Sequence, residues 1–531
     1  MDINIAGRER AAGYPGTSFA TQQATQQADF DQHLREAAQQ GSLVGSATPE
    51  LEHHLGTAAR QPKLVVISNR VATFGPLQPK TGGLAAALEP VVERSGAVWM
   101  GSSGKLGDGS EPLDIGQHGE GQVAKLDLPR EHYSGYYEGF ANSILWPALH
   151  SLPDRMAASA NHYKSYQEIN KFVAGAAFQF RDRDAIWVHD YHFLPLGAGL
   201  QNLGVDKPIG FFLHTPWPAP DMIEQVPNHG ELMQSMLAYD LLGFQTNWDL
   251  NNFRACLRTH LGLEIEHGVV ISARGHTRCQ TFPIGIDPKQ FARNASESLA
   301  KPDPYISSLQ KKLNGAKLAI GVDRLDYTKG IDERIKAFDQ VLAAEPRSIV
   351  LLQIANPSRT EIEAYKIYKR DVESLVERVN DKHGTNEWRP VLYENSPFTQ
   401  AQLAGLYRAA RVGVVTPLRD GMNLVAKEYV AAQDPNDPGV LVLSKFAGAA
   451  EDFDQNEALL VDPTRPDEIA AAISKAANMP REERVQRWRA MMDKLEAYTI
   501  HDWSAHFVQE LDKSRVTVRA TCSDLGSGWI N

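Results

Sequence analysis

The feature that most constrains this chain is a recurrence of short, wholly apolar segments that end in polar residues and are followed by helical stretches. LVVISNR (64–70), AIWVHD (185–190), IGFFLH (209–214), the start of LLGFQTNWDLNNFRACLRTHL (241–261) and TRCQTFPIGID (277–287) form one series. KLAIGVDRLDYTKG (317–330), SIVLLQIA (348–355), VGVV (412–415), GVLVLS (439–444) and ALLVDP (458–463) form a second. Runs of Val, Ile and Leu without polar alternation belong to parallel strands covered on both faces. Helices are predicted at 81–93, up to about 344, from about 359 to 379, and from 424. Two such sets in succession predict an α/β chain with two doubly wound, Rossmann-like domains facing across a cleft. The expected boundaries are an N-terminal extension at 1–60, domains at 61–290 and 291–480, and C-terminal helices and tail at 481–531. The Pro-Gly bend in FPIGID marks the exit from the first domain. One helical region, about 481–514, has the length and period to pack across both.

Composition narrows the function. The formal net charge of −11 argues against a general nucleic-acid or anionic-membrane partner. Any anionic ligand must therefore meet a local basic cluster. Cys256, Cys279 and Cys522 are scattered with no metal or redox spacing, which fits a reducing compartment. MDINIAGRER has no apolar leader and no apolar run reaches a membrane span, so a cytoplasmic location is expected. The Gln- and Ala-rich segment before residue 60 lacks a hydrophobic period. It reads as disordered, with one transient helix near 28–40.

The chemistry gathers at strand ends, where ligands of open α/β sheets sit. Arg70 closes the first strand, and Gly82 and Gly83 open the next helix. A Gly-rich loop there brings backbone N–H groups to a phosphate, or merely permits a tight turn. In GVDRLDYTKG, Arg324 and Lys329 lie five apart on one loop. They either neutralise a diphosphate or pair with Asp323 and Asp326 on a surface loop. In TPLRDGMNLVAKEYVAA, Asp420-Gly421-Met422-Asn423 is turn chemistry and Asn423 is the expected N-cap of a helix from Leu424. The helix tip is an anion site flanked by Asp420 and Glu428, or else an ordinary strand-to-helix turn. HDYH (189–192) places two histidines at i and i+3 without the further ligands and outer shell a metal requires, so no metal is expected. Asp190 and His214 read as partners for sugar hydroxyls or for buried backbone. YYEGFANSILWPALH (136–150) is either core packing or, through Tyr137 and Trp146, one wall of a sugar pocket.

These segments resemble one family when taken together. VVISNR, YYEGFANSILWP, IWVHDYHFLP, GFFLHTPWPAP, DLLGFQT, PIGID, DRLDYTKG, NPSR, TPLRDGMNLVAKEYVAAQ and GVLVLSKFAGAAE stand here in the order found in trehalose-6-phosphate synthases, which are retaining glycosyltransferases of the GT-B type. The resemblance covers about residues 63–510. It implies transfer of glucose from UDP-glucose to glucose-6-phosphate, with no cofactor, in a homo-oligomer (dimer or tetramer). By resemblance the first domain takes the acceptor and the second the nucleotide sugar. The implied donor site comprises Gly82, Gly83, Arg324, Lys329 and the helix opening Leu424, Val425, Ala426, Lys427 and Glu428, with Glu428 on the ribose and Phe398 near the base. Asp420 and His214 would meet the transferred glucose. Arg70, Arg359, Tyr137, Trp146 and Asp190 would form the acceptor pocket. Arg324, Lys329, Asp190, His214 and Asp420 are the implied catalytic set. A glucosylglycerol-phosphate synthase using ADP-glucose and glycerol-3-phosphate, or a catalytically silent regulatory subunit, are the alternatives. No fused phosphatase follows, so the phosphorylated disaccharide is the expected end product.

Overall fold

The second series of apolar runs supplies five strands of a six-stranded, wholly parallel sheet in the computed structural model, which describes residues 63–71, 88–89, 92–93, 95–157, 162–300 and 303–525. Its strands are β10 (Lys317–Arg324), β11 (Ile349–Asn356), β12 (Val391–Glu394), β13 (Val412–Val415), β14 (Val440–Ser444) and β15 (Leu459–Val461). They lie in the order β12-β11-β10-β13-β14-β15. The chain thus winds outward in one direction from β10 and in the other from β13. The crevice of a doubly wound sheet opens where that order reverses, at the carboxyl ends of β10 and β13. Ala319 and Ile320 of β10 pair with Val412 and Gly413 of β13, which sets those two ends side by side.

The first series gives a nine-stranded sheet ordered β3-β4-β2-β1-β5-β6-β7-β9-β8. Its strands are β1 (Leu64–Arg70), β2 (Val98–Gly107), β3 (Asp114–His118), β4 (Gly121–Pro129), β5 (Ala185–His189), β6 (Ile209–Phe212), β7 (Leu241–Phe244), β8 (Val269–Ser272) and β9 (Gly275–Thr281). The middle is parallel, and an antiparallel hairpin closes each edge (β3–β4 and β8–β9). Its order reverses between β1 and β5, at Arg70 and Asp190. Both sheets therefore present a switch point, and the fold is that of the GT-B glycosyltransferases.

Three expectations need adjusting. Strands β2 to β4, β8 and β12 were not foreseen. The C-terminal helical region is two helices, Arg481–Ala497 and Ile500–Leu525. The break is built by Thr499, whose N–H donates to Asp502 Oδ2 at 2.8 Å while Asp502 N–H donates to Thr499 Oγ1 at 3.4 Å. Beside it, Gly285 lies so close to Tyr498 and Thr499 that an added Cβ would stand 2.7 Å from the Thr499 carbonyl carbon. The chain recrosses there, because Ile500 N–H donates to Ile286 O at 3.0 Å and Phe507 then packs on Trp187 of β5. The third adjustment concerns residues 134–145, which form a π-helix leading directly into Trp146. The transient helix expected near 28–40 lies outside the described residues, as do Gly82 and Gly83. Among the described residues no helix is long and apolar enough to cross a membrane.

Candidate active site

The loop after β10 is not on the surface. Asp326 is wholly buried and caps the short turn Tyr327–Lys329, its Oδ1 accepting from Thr328 N–H and Oγ1–H at 3.0 Å each. Burial alone would push its carboxyl up. Arg359, then Arg324 and Lys329, outweigh burial and hold it well below the usual range. Arg359 Nη1 lies 3.0 Å from Asp326 Oδ2, whereas Arg324 Nη2 is 3.7 Å away and its side chain is 40% exposed. Asp323, by contrast, serves Arg334 in the core at 2.5 Å. Of the two carboxylates predicted to neutralise the loop, only Asp326 does so.

Lys329 reaches across the switch point to Asp420, Nζ to Oδ2 being 2.5 Å. Burial favours the neutral carboxyl of Asp420, but Lys329 overcomes it and keeps the group ionised. Asn423 is the N-cap residue in position only. It adopts φ 74°, ψ 85°, and no side-chain cap is made. Its amide donates instead to Asp420 Oδ2 at 3.0 Å. The tip of the helix Leu424–Ala432 thus lacks a side-chain cap, and uncapped N–H groups at such a tip attract anions. Leu424 and Val425 are half-buried there, and Ala426 N–H turns back to Asn423 O at 3.3 Å. Lys427 points away from the tip, its Nζ 2.7 Å from both Ile284 O and Asp452 Oδ2. Glu428 Oε2 accepts from Tyr407 O–H at 3.3 Å, and burial raises its carboxyl to about 7. Phe398 packs edge-on to Tyr305, their ring centres 5.1 Å apart.

The first sheet supplies the opposing wall. Asp190 ends β5 at φ 75°, ψ 164°, a conformation costly for any residue but glycine. Burial raises its carboxyl to about 6. It accepts from His214 N–H at 3.3 Å, which ties the ends of β5 and β6 together. The two histidines of HDYH separate. His189 Nδ1 lies 3.1 Å from His214 Nε2, while His192 stacks on Tyr137 at 5.9 Å. Tyr137 also stacks on Tyr133, which feels the charge of exposed Arg70.

Side chains then bridge the two sheets. Trp146 Nε1 donates to Asp326 Oδ1 at 3.3 Å, and its ring lies 3.9 Å from the Arg359 guanidinium carbon and 5.0 Å from that of Arg324. Arg359 Nη2 donates to the Tyr191 hydroxyl at 2.9 Å, and Nη1 also bonds the Tyr365 hydroxyl. Gly421 meets His214 so tightly that a Cβ would stand 2.1 Å from the His214 carbonyl oxygen. Arg324, Lys329, Asp420, Asp190, His214, Trp146 and Arg359 are therefore assembled where the two switch points meet.

Comparison with known proteins fits this geometry. Residues 60–513 match the model of glycosyltransferase family 20. The chain belongs to glycosyltransferase family 20. It is 42% identical over 462 residues to the trehalose-6-phosphate synthase of Sinorhizobium fredii, covering 85% of this chain and 98% of that one. Against the Klebsiella pneumoniae trehalose-6-phosphate synthase it is 39% identical over 454 residues, with 85% and 95% covered. A Burkholderia xenovorans trehalose-phosphate synthase (UDP-forming) in complex with glucose-6-phosphate superposes with TM-score 0.81 at 38% identity, over 85% of this chain and 99% of that chain. An Escherichia coli structure bound with UDP-2-fluoro glucose gives 0.79 at 38%, with the same coverage.

Within this family 20 chain, four groups escaped sequence reasoning. Asp326 was read only as a neutralising partner. Its Asp-x-Thr spacing in DYT, which signals a self-capping turn, was the available clue. Tyr191 and Tyr365 hold Arg359 but carried no local signal. His150 is buried beside Trp146, Nδ1 2.7 Å from the Trp146 carbonyl, and burial lowers it to about 3. It feels Lys329 and Asp420, a proximity visible only in three dimensions.

Proposed function

We propose that the chain transfers glucose from UDP-glucose to glucose-6-phosphate with retention, giving trehalose-6-phosphate and UDP. The observation that carries this reading is Lys329 and Asp420 paired beside an uncapped helix tip, where Gly421 meets the His214 backbone. Family membership and the relatives' complexes support it. The N-terminal sheet, within 61–290, would hold the acceptor, and the second, within 291–480, the nucleotide sugar.

In this reading the diphosphate lies over the tip at Leu424 and Val425, within reach of Arg324 and Lys329. Arg324 is loosely paired and half-exposed, and so free to turn to the ligand. Glu428 accepts from ribose hydroxyls, and Asp420 and His214 from or to the hydroxyls of the glucose. Arg70 and Arg359 take the acceptor phosphate, with Tyr137, Trp146 and Asp190 completing the pocket. The bond from the anomeric carbon to the phosphate oxygen breaks while the acceptor hydroxyl bonds to the same face of that carbon. The hydroxyl's proton passes to the departing phosphate oxygen. Leaving-group charge is stabilised by groups already in place, which is the strongest single lever available to such a site.

Nucleotide release from UDP-, ADP- and GDP-glucose, crossed with glucose-6-phosphate and glycerol-3-phosphate, tests the reading. UDP-glucose with glucose-6-phosphate is the expected best pair. A preference for ADP-glucose with glycerol-3-phosphate, or release with no pair, overturns it.

A further inference from the structure

The pair His189 and His214 carries information that the substrate contacts do not. His189 is fully buried in an aromatic cage, its ring 4.5 Å from Trp187 and 6.4 Å from both Phe212 and Trp503. Trp503 comes from the C-terminal helix that recrosses to the first sheet, and it also lies 6.3 Å from His214. Among the described residues His189 makes one polar contact inside this cage, Nδ1 to His214 Nε2 at 3.1 Å, and its buried Nε2 has no partner among them.

Those contacts settle where the protons sit. Burial keeps both rings neutral, so each carries one proton. The shared contact needs one nitrogen with a proton and one without. If His214 Nε2 donated, His189 would have to carry its own proton on Nε2, as a buried N–H with no acceptor. A buried N–H without a partner is the rarer and costlier arrangement, compared with an unpaired acceptor lone pair. His189 therefore donates from Nδ1, His214 accepts at Nε2, and the proton of His214 is on Nδ1. That is the other nitrogen of the half-buried ring that follows β6, whose backbone meets Gly421.

We infer that His189 is a positioning residue: it fixes His214 as the Nδ1–H tautomer, so that His214 offers the transferred sugar a hydrogen-bond donor and not an acceptor. The sugar oxygen facing His214 must then be one that accepts. The C-terminal helix enters the same device, since Trp503 walls the cage that keeps His189 neutral. This inference rests on the proposed transfer for its kinetic consequence, but not for the tautomer itself.

The test uses the full-length protein. Nitrogen-15 NMR of labelled histidines should show His214 protonated at Nδ1 and bare at Nε2. The reverse pattern overturns the inference whether or not the enzyme transfers glucose. Two variants separate positioning from packing. His189→Asn keeps an amide N–H where Nδ1 stood but loses ring volume, whereas His189→Phe keeps the volume and loses the donor. Packing alone predicts that Phe is the better replacement in both stability and turnover. Positioning predicts a crossover: Phe more stable to heat, yet about tenfold lower in kcat/KM for the nucleotide sugar than Asn, with the acceptor KM unchanged in both. Equal kcat/KM in the two variants, or a better Phe enzyme, overturns it. If neither variant folds, the wild-type tautomer remains the deciding measurement.

Discussion

The two switch points that meet in this molecule are made of opposite materials. At the second sheet the groups are charged and already paired: Lys329 with Asp420, Arg359 and more loosely Arg324 with Asp326. At the first sheet the enclosed groups are aromatic or kept neutral by burial, as with His189, His192 and His214, while Asp190 is pushed up to about 6. Arg70, at the end of β1, is an exposed cation there. The difference maps onto the two halves of the proposed reaction. A diphosphate whose charge grows as it leaves needs cations fixed before it arrives. Sugar hydroxyls need donors and acceptors of fixed direction, which neutral side chains supply at less desolvation cost than ions. A preformed carboxylate partner also keeps Lys329 and Arg359 in place between turnovers.

The comparison is broken most directly at Lys329. Lys329→Ala should lower kcat about a hundredfold, on the order of 3 kcal/mol of leaving-group stabilisation. It also leaves Asp420 buried without its ammonium, so its carboxyl should rise toward and above its ordinary value. Near-normal turnover in the purified variant would remove the charged half of the argument. Arg359 is next. It touches both sheets, so Arg359→Ala should raise the acceptor KM about tenfold with the donor KM little changed. It should also cost about 3 kcal/mol of stability, because Asp326 stays buried with only the more weakly acting cations Arg324 and Lys329. Arg359→Lys should recover part of that stability and little of the KM. A single ammonium cannot fork to Asp326 and Tyr191 while lying flat on Trp146. An unchanged acceptor KM in the Ala variant takes Arg359 out of the acceptor pocket.

How much of this was legible beforehand differs between the same two regions. The second sheet was read almost strand for strand, because buried parallel strands are uninterrupted Val, Ile and Leu and their polar ends mark the crevice. VWMGSSGKLG, which forms β2, mixes apolar residues with Gly, Ser and Lys, so no period stands out. Its inner half is buried and its outer half exposed, a division set by the neighbouring strands. The break at Thr499 was written in the chain as a Thr with Asp three residues on, but the apolar period ran through it. Within the site, residue types at strand ends were readable, whereas partnerships were not. Nothing local reveals that Arg359 finds Asp326 across 33 residues, that Asn423 turns from its helix to Asp420, or that Lys427 leaves the tip for Ile284. Such choices depend on which loops the two sheets bring together.

Two smaller effects sharpen the contrast away from the chemistry. Glu451, beyond β14, caps a helix of the other half, accepting from Asn247 N–H at 3.2 Å and Trp248 N–H at 3.3 Å. A carboxylate on a helix N-terminus is worth about 1 kcal/mol. Glu451→Gln should therefore cost about that much in thermal or urea unfolding, with kcat within twofold. A large fall in kcat with unchanged stability would mean that this contact gates the crevice and does not merely join the halves.

Glu428 tests whether the charged half contains one group that is not charged in advance. Burial raises its carboxyl to about 7, and Tyr407 donates a hydrogen bond to it. Ribose hydroxyls donate best to the ionised form. Nucleotide binding should therefore draw a proton off Glu428 and strengthen as pH rises through 7. The folding consequence has the opposite sign. A carboxyl raised above its unfolded value favours the protonated native state, so its contribution to stability declines as pH climbs from about 4.5 to about 7. UDP affinity measured by calorimetry at pH 6 and pH 8 should improve about threefold more in the wild type than in Glu428→Gln. The nucleotide's own titration is common to both proteins and cancels in that ratio. A protonated carboxyl still accepts through its carbonyl oxygen, which is why the expected factor is small. Parallel pH profiles would show that Glu428 is ionised before UDP arrives, like Asp326 and Asp420, or that it does not meet the ribose.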